Sequence, residues 1–277
     1  MTEQDVFHGG SLNRGRFHRA LKRAIRPKHI GMASQPFDWD KGYITPLKRI
    51  KNQGQSFSCG GQAGSRWVEI AENITEQSAK SVYSQGYYAP TGGMSVSDLE
   101  KVICELGSTD ESLLLSEPAT EENMKNKDWQ KDSNLLLNAL QKAGYTAISV
   151  DKTLDGIACA MRDYGAVIML IEGQNGNPLH WLTNTPQPPV KSNPNPIWAH
   201  YLCSYSASKH SPKPIGFYNS WGASCGDGGI QYFGQDYIDS GHITDVFTFV
   251  KRDEASLKLN LLQRILKGLQ TLINLSK

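Results

Sequence analysis

Cys59 is the residue whose setting most clearly indicates chemistry. A polar, glycine-containing loop, residues 51–58, runs into an apolar segment with helical spacing, so Cys59 falls at the predicted start of a helix. The unpaired N–H groups and the dipole of a helix N-terminus both stabilise a thiolate. We therefore predict a lowered pKa and a nucleophilic role for Cys59. The alternative is a small buried hydrophobic residue, which is how most lone cysteines behave.

A nucleophilic thiol needs a base, and His200 is the best placed of the seven histidines. It opens an apolar run, residues 201–205, that is typical of a strand, and a strand end holds a side chain in a fixed position. Asn219 follows 19 residues later, among aromatic residues. Its amide can accept the imidazole N–H, fix the tautomer and hold the ring toward the sulfur. The alternative for Asn219 is a turn residue that bonds its own backbone.

The elements that must position these residues fall into two groups. Helical spacing predicts helices over residues 59–74 and 76–85, after Ser95 or Ser97, after Asp132 or Ser133, and over residues 155–164. A buried strand over residues 166–171 precedes a long irregular loop, residues 173–196, and short strands near residues 201–205, 214–219, 229–233 and 246–250. Helices followed by strands predict an α+β fold with two packed lobes.

Three glycines lie in the first turns of the helix that begins at Cys59, at positions 60, 61 and 64. Each glycine inside a helix costs about 1 kcal/mol relative to alanine. We therefore expect another part of the chain to approach this helix closely.

The order of these residues resembles the papain-like (C1) cysteine peptidases. The resemblance is carried by Gln53-Gly54, Ser58-Cys59, His200 and the run Asn219-Ser220-Trp221-Gly222. The intervals from Cys59 to His200 and Asn219 are 141 and 160 residues, against about 130–150 in the family. The likeness covers residues 36–250, with further matches at Asp38-Trp39, residues 45–48, Glu69, Gly92-Gly93 and residues 226–230.

The resemblance implies a fold and a set of roles. The fold would have a helical left lobe, an antiparallel β right lobe and an active-site cleft between them. Cys59 would be the nucleophile and His200 the base and then the acid, with Asn219 orienting the imidazole. Gln53 would donate to the oxyanion. Trp221 would also shield the His200–Asn219 hydrogen bond from water. The residues that would bind substrate are Gly92, Gly93, Met94, Tyr201 and Trp221.

The implied reaction is acyl transfer through a thioester followed by hydrolysis of a peptide or protein substrate, with no metal or organic cofactor. Two other classes use the same residues. One is a Cys–His amidase or transferase acting on cell-wall peptides or glutamine side chains. The other is a catalytically silent papain-like binding module, and an intact set of Gln53, Cys59, His200 and Asn219 argues against it.

The chain departs from the family pattern at four positions. Ser56 stands where the family carries a disulfide-bonded cysteine, and Gly60 where it carries an aromatic residue. Tyr201 stands at a position that is usually small and borders the second substrate pocket. A tyrosine there either narrows that pocket or points into the sheet. Cys225 replaces the second Trp of the closing motif.

The composition excludes several classes of protein. Lys and Arg number 29 against 27 Asp and Glu, and a net charge of +2 is too small a surplus for a nucleic-acid binder. No run of about 18 apolar residues is present to span a membrane, and the N-terminal residues lack the apolar core of a signal peptide. Five cysteines without a CxxC pair indicate a cytoplasmic or otherwise reducing compartment and no metal site.

Two segments flank the predicted peptidase domain, residues 36–250. Residues 1–35 form a basic extension, in which residues 14–28 are either a short inhibitory arm in or near the cleft or part of a flexible extension or packing arm. Residues 251–277 include an amphipathic helical pattern, with its apolar stripe at Leu262, Ile265, Leu269, Leu272 and Ile273. We expect this helix to pack on its own domain or on a second copy, and do not expect membrane contact.

Overall fold

The computed structural model describes residues 36–89, 92–173, 183, 185 and 198–252. The predictions for the basic extension, for most of the loop over residues 173–196 and for the amphipathic C-terminal helix therefore lie outside the described residues. None of the described helices is both long and apolar enough to cross a membrane.

The first half of the described chain is mainly helical. A two-residue strand, β1 (Tyr43–Ile44), precedes five α-helices: α1 (Cys59–Ala71), α2 (Ala79–Gly86), α3 (Val96–Lys101), α4 (Glu121–Lys125) and α5 (Ser133–Leu140). A π-helical turn (Val102–Leu106) continues α3, and a 3₁₀ turn (Asp128–Lys131) precedes α5. Side chains of Ser78, Ser95 and Asp132 cap α2, α3 and α5 by accepting backbone N–H groups.

The second half supplies an antiparallel sheet. Its strands are β2 (Tyr145–Ser149), β3 (Ile168–Gly173), β4 (Trp198–Ala207), β5 (Ile215–Tyr218), β6 (Ile230–Phe233) and β7 (Ile243–Lys251). They lie in the order β2-β7-β3-β4-β5-β6, and β1 pairs with β4. Two helices accompany the strands, α6 (Leu154–Tyr164) and α7 (Gln235–Asp239). In the central pair, His200 on β4 lies opposite Ile171 on β3.

The predicted α+β architecture is confirmed, and most differences are in element boundaries. The first helix ends three residues early, at Ala71, and the second begins at Ala79 rather than at residue 76. The last strand is longer than predicted and runs to Lys251, one residue into the predicted C-terminal segment. Sequence patterns missed β2 and the short helix α4.

The glycines of α1 are explained by close packing. A Cβ atom at Gly61 would lie 2.7 Å from the Ala79 carbonyl oxygen, and one at Gly64 would lie 2.6 Å from Leu99 Cδ1. Both distances are too short for real contacts, so α2 and α3 approach α1 only because these positions lack side chains. The expectation of a close approach is confirmed.

Helix α1 also packs on the sheet, and Trp67 joins the two. Its indole Nε1 donates to the Ala166 carbonyl at 3.0 Å and to Thr248 Oγ1 at 3.1 Å. Its ring packs edge-on against Phe249, with centroids 4.8 Å apart. The cluster around Trp67 continues from the helices into the sheet, while α6 covers a second apolar cluster. The five cysteines all lie among the described residues, are buried and form no disulfide.

A buried ion cluster lies beside α1, centred on Glu69. Its carboxylate accepts from Lys51 Nζ at 2.8 Å, from Arg66 Nη1 at 2.6 Å and from the Gln77 backbone N–H at 2.8 Å. Arg66 also lies 4.4 Å from the centre of the Tyr218 ring. Burial lowers the pKa of Lys51, and the charge of Glu69 opposes that shift. Each buried cation therefore depends on Glu69 for its counter-charge.

Replacing Glu69 with Gln should lower the free energy of unfolding by about 3–5 kcal/mol, because it leaves two buried cations without their anion. Urea denaturation followed by circular dichroism measures this change. The exposed Glu122→Gln is the matched control and should change stability by less than about 0.5 kcal/mol. Equal denaturation midpoints for the two variants would contradict a structural role for the cluster.

Candidate active site

Cys59 is the first residue of α1 and is almost fully buried, with 6% of its surface exposed. Its sulfur lies 4.0 Å from the Phe57 carbonyl oxygen. The backbone of Tyr201, the residue after His200, is within hydrogen-bonding reach of the same sulfur. The start of α1 therefore meets strand β4 at the position predicted to carry the base.

The orientation of His200 is set by a chain of hydrogen bonds. Gln231 Nε2 donates to the Thr183 carbonyl at 2.8 Å, so its Oε1 accepts from Asn219 Nδ2 at 2.7 Å. Asn219 Oδ1 is left to face His200 Nε2 at 3.0 Å. Because a carbonyl oxygen only accepts, the proton of a neutral His200 ring lies on Nε2. Nδ1 is then the basic nitrogen; it is buried and has no hydrogen-bond partner among the described residues.

Trp221 covers the His200 ring. The two ring centroids are 5.0 Å apart with an interplanar angle of 35°. The backbone of Trp221 pairs with Asn52, which precedes Gln53. Trp221 therefore contacts both the imidazole and the loop that leads to Cys59, a position suited to keeping water from the His200–Asn219 hydrogen bond.

Gln53 joins residues 51–58, the loop before the predicted nucleophile Cys59 (the nucleophile loop), to the segment after Asn219. Its Oε1 accepts from Ser220 Oγ at 2.6 Å, and its backbone N–H donates to the Ser220 carbonyl at 2.7 Å. One hydrogen of its Nε2 is donated to the Ser56 carbonyl at 3.0 Å. The side chain is only 1% exposed. Gln53 is thus held rigidly within the loop that ends at Cys59.

Burial dominates the proton affinities of the thiol and the imidazole. It raises the pKa of Cys59 to about 11, although hydrogen bonds from the backbone of Tyr201 and Gly60 act in the opposite direction. Burial likewise lowers the pKa of His200 to about 4, against a raising effect of Asn219. The predicted low pKa of Cys59 is therefore wrong. The helix start does favour the thiolate, but removal from water outweighs it, and both groups are neutral at pH 7.

Gly92 and Gly93 lie against the nucleophile loop in the left-handed region, with φ of +69° and +77°. A Cβ atom at Gly92 would lie 3.1 Å from the Phe57 ring. The Gly93 N–H donates to the Tyr83 hydroxyl at 3.0 Å, and the Gly93 carbonyl accepts from the Tyr88 N–H at 3.1 Å. The backbone groups of Gly93 that the family resemblance assigns to substrate are thus already bonded within the chain.

Tyr201, Met94 and Gly60 form one contact. The Tyr201 hydroxyl lies 3.4 Å from the Met94 carbonyl oxygen. A Cβ atom at Gly60 would lie 3.3 Å from Met94 Cβ and 3.4 Å from Tyr201 Cδ2. The Tyr201 ring therefore lies over Gly60 and reaches Met94. The two sequence departures at positions 60 and 201 are therefore in contact with each other.

Sequence reasoning missed several residues that hold the site. Gln231 orients Asn219, and Ser220 fixes Gln53. The one local signal for Gln231 was a polar residue between Ile230 and Tyr232 in an apolar strand. Such a residue needs a partner when it is buried, but the sequence does not identify which one.

The fold is also found among solved structures. No protein-family model matches the chain, and no curated protein matches it in sequence. Xylellain, a cysteine protease from Xylella fastidiosa, is similar with a TM-score of 0.67 and 15% identity over 89% of this chain and 97% of its own. Digestive procathepsin L 3 from the larval midgut of Tenebrio molitor has a TM-score of 0.64 and 16% identity over 90% of this chain and 79% of its own. Bromelain from Ananas comosus, in complex with the E64 inhibitor, has a TM-score of 0.55 and 19% identity over 79% of this chain and 99% of its own. The chain therefore has the fold of the papain-like cysteine proteases.

Proposed function

We propose that the protein is a cysteine peptidase that cleaves peptide bonds with Cys59 as nucleophile and His200 as base. The observation that carries this proposal is the hydrogen bond between His200 Nε2 and Asn219 Oδ1, 3.0 Å long. It leaves the buried Nδ1 as the basic nitrogen on a strand whose next residue contacts the Cys59 sulfur. The fold shared with cysteine proteases supports the same reading.

In the proposed reaction, His200 Nδ1 takes the proton from the thiol as the sulfur attacks the substrate carbonyl carbon. The tetrahedral intermediate collapses when the C–N bond breaks, and Nδ1–H gives its proton to the leaving amine. A thioester to Cys59 remains. Water then attacks the thioester carbonyl while Nδ1 accepts a proton from it, and the thiol is regenerated as the acid product leaves.

The negative oxygen of the intermediate needs fixed donors. The backbone N–H groups at the start of α1 point out of the helix because no preceding turn supplies acceptors for them. The family resemblance assigns Gln53 as the second donor, and hydrogen bonds to Ser56 and Ser220 hold its side chain within the loop that ends at Cys59. We assign the oxyanion to the Cys59 N–H and the Gln53 amide. Loss of one such donor costs about 10²–10³-fold in rate.

The neutral charge state of Cys59 and His200 before the reaction determines when the thiolate forms in the proposed mechanism. A thiol whose pKa is about 11 beside an imidazole whose pKa is about 4 keeps its proton at pH 7. The thiolate therefore forms during attack rather than before it. His200 acts as a base within the reaction step, and the hydrogen bond to Asn219 stabilises the imidazolium as it forms.

Alkylation of Cys59 by iodoacetamide should accelerate continuously from pH 6 to pH 9, because the raised pKa keeps the thiolate fraction small throughout this range. We expect about a tenfold increase per pH unit. Mass spectrometry of the peptide that contains Cys59 measures the rate, and Cys59→Ser is the blank. A rate that is already constant near pH 6 would show that the thiolate is stabilised after all.

Hydrolysis of a diverse peptide library tests the function itself. Cys59→Ala should abolish cleavage, and Asn219→Ala should lower kcat by about 10²-fold because the imidazole loses its orientation. Cys159→Ala is the matched control, since this buried thiol lies on α6 rather than on the helix that begins at Cys59, and it should leave activity unchanged. Peptides that bind uncleaved would favour the binding module, and cleavage of side-chain amides alone would favour the amidase.

The second substrate pocket is proposed to be filled by the Tyr201 ring. The wild-type protein should therefore favour Gly or Ala at the second residue before the cleaved bond. Tyr201→Ala should raise kcat/KM for Leu or Phe at that position relative to Gly by about tenfold. The control, Tyr201→Phe, keeps the ring and should keep the preference. An unchanged ratio of kcat/KM for Leu or Phe to kcat/KM for Gly in Tyr201→Ala would contradict this assignment. Because both values are measured on the same variant, the ratio does not depend on how much of the protein folds.

A further inference from the structure

The carboxylate of Glu121 connects two loops that flank Cys59. Its Oε2 accepts from the Phe57 backbone N–H at 2.8 Å. Its Oε1 accepts from the Tyr83 hydroxyl at 2.7 Å, and that hydroxyl accepts from the Gly93 backbone N–H at 3.0 Å. A continuous set of three hydrogen bonds, the Glu121 relay, therefore joins Phe57 to Gly93.

Both ends of the relay are backbone groups outside regular structure. Phe57 is two residues before Cys59, and Gly93 belongs to the glycine pair that packs on the Phe57 ring. Without a partner, each N–H would be a poorly solvated donor at the edge of the site. The relay thus satisfies two donors and fixes the distance between the two loops.

The residues in the middle of the relay are themselves held firmly. Tyr83 on α2 is fully buried, and burial followed by the hydrogen bond to Glu121 raises its pKa above the ordinary value. Glu121 is the first residue of α4, whose Asn123 accepts from Lys80 Nζ of α2 at 2.7 Å. Helix α4 is further anchored by the fully buried Met124. The carboxylate therefore sits on a helix that packs on α2 and is separate from both loops.

We propose that Glu121 is a positioning residue that sets the nucleophile loop and the glycine pair relative to each other. Ser56 stands one residue from Phe57, where the resembled family carries a disulfide-bonded cysteine. The relay supplies a cross-connection at this point that uses a carboxylate and needs no oxidised cysteines. Its bonds to a charged acceptor are stronger than neutral hydrogen bonds. The inference deepens the proposed function, because the effect on catalysis rests on Cys59 being the nucleophile.

Amide hydrogen exchange measured by NMR tests the relay without any substrate. Glu121→Ala should accelerate exchange at both Phe57 and Gly93 by at least about tenfold, while amides in β3 and β4 keep their wild-type rates. Tyr83→Phe should accelerate exchange at Gly93 and leave Phe57 protected. The exposed neighbour Glu122→Ala is the matched control and should change neither amide. Wild-type exchange at both amides in Glu121→Ala overturns the proposal.

Peptide hydrolysis tests the positioning role. Glu121→Ala and Tyr83→Phe should each lower kcat/KM by about tenfold. Glu121→Gln should recover most of the loss, because its carbonyl oxygen still accepts from the Phe57 N–H and its amide N–H can donate to the Tyr83 hydroxyl oxygen, which keeps both connections of the relay. The double variant should be no worse than the more damaged single variant, since both changes cut the same relay. Multiplying effects, or a loss that Gln does not restore, overturn the proposal. Absence of hydrolysis in the wild type would instead remove the proposed function and leave the exchange result standing.

Discussion

The buried carboxylate of Glu69 connects three of the four segments that carry the candidate catalytic residues. Lys51, one of its two cations, precedes Gln53 by two residues, and the other cation, Arg66, lies on the helix that begins at Cys59. Arg66 also stacks on Tyr218, which is adjacent to Asn219. A single anion thus connects the loop that carries Gln53, the helix that begins at Cys59 and the end of β5. The fold can place reacting groups from distant parts of the sequence because this cluster leaves those parts little freedom.

Removal of water has two opposing effects on the candidate site. It strengthens the hydrogen bonds from Gln231 to Asn219 and on to His200, so the imidazole has one orientation and one tautomer. The same removal penalises the charged forms of the thiol and the imidazole. The arrangement is therefore well ordered but not charged at rest. The burial that fixes the orientation of the His200 imidazole therefore also keeps Cys59 a neutral thiol at rest.

The sequence predicted what depends on short-range periodicity and on residue order. Helix α1 was recognisable from its apolar spacing, and the pairing of His200 with Asn219 from residue type and position. The short strand β2 was missed because it is stabilised by its partner β7 rather than by its own pattern. The sign of the Cys59 pKa shift was missed for a related reason. Helix position is visible in a sequence, whereas burial is created by the whole fold.

Residues that act through a partner were the hardest to predict. Glu121 and Gln231 belong to no local motif, and each matters because tertiary structure brings a backbone or side-chain group to it. Gly93 shows the same limit of sequence-based prediction in a residue that does belong to a recognisable motif. Its type and neighbours resemble a substrate-binding pair, yet its N–H is bonded to Tyr83.

The contact between Gly60 and Tyr201 constrains how this cleft can change. A Cβ atom at 60 would already lie 3.4 Å from the ring and 3.3 Å from Met94 Cβ, so side-chain atoms beyond Cβ would have to share space with these groups. A small residue at 201, introduced alone, leaves a void above a glycine that has no side chain with which to fill it. Because the two residues are in contact, the effect of a replacement at one position is expected to depend on the residue at the other.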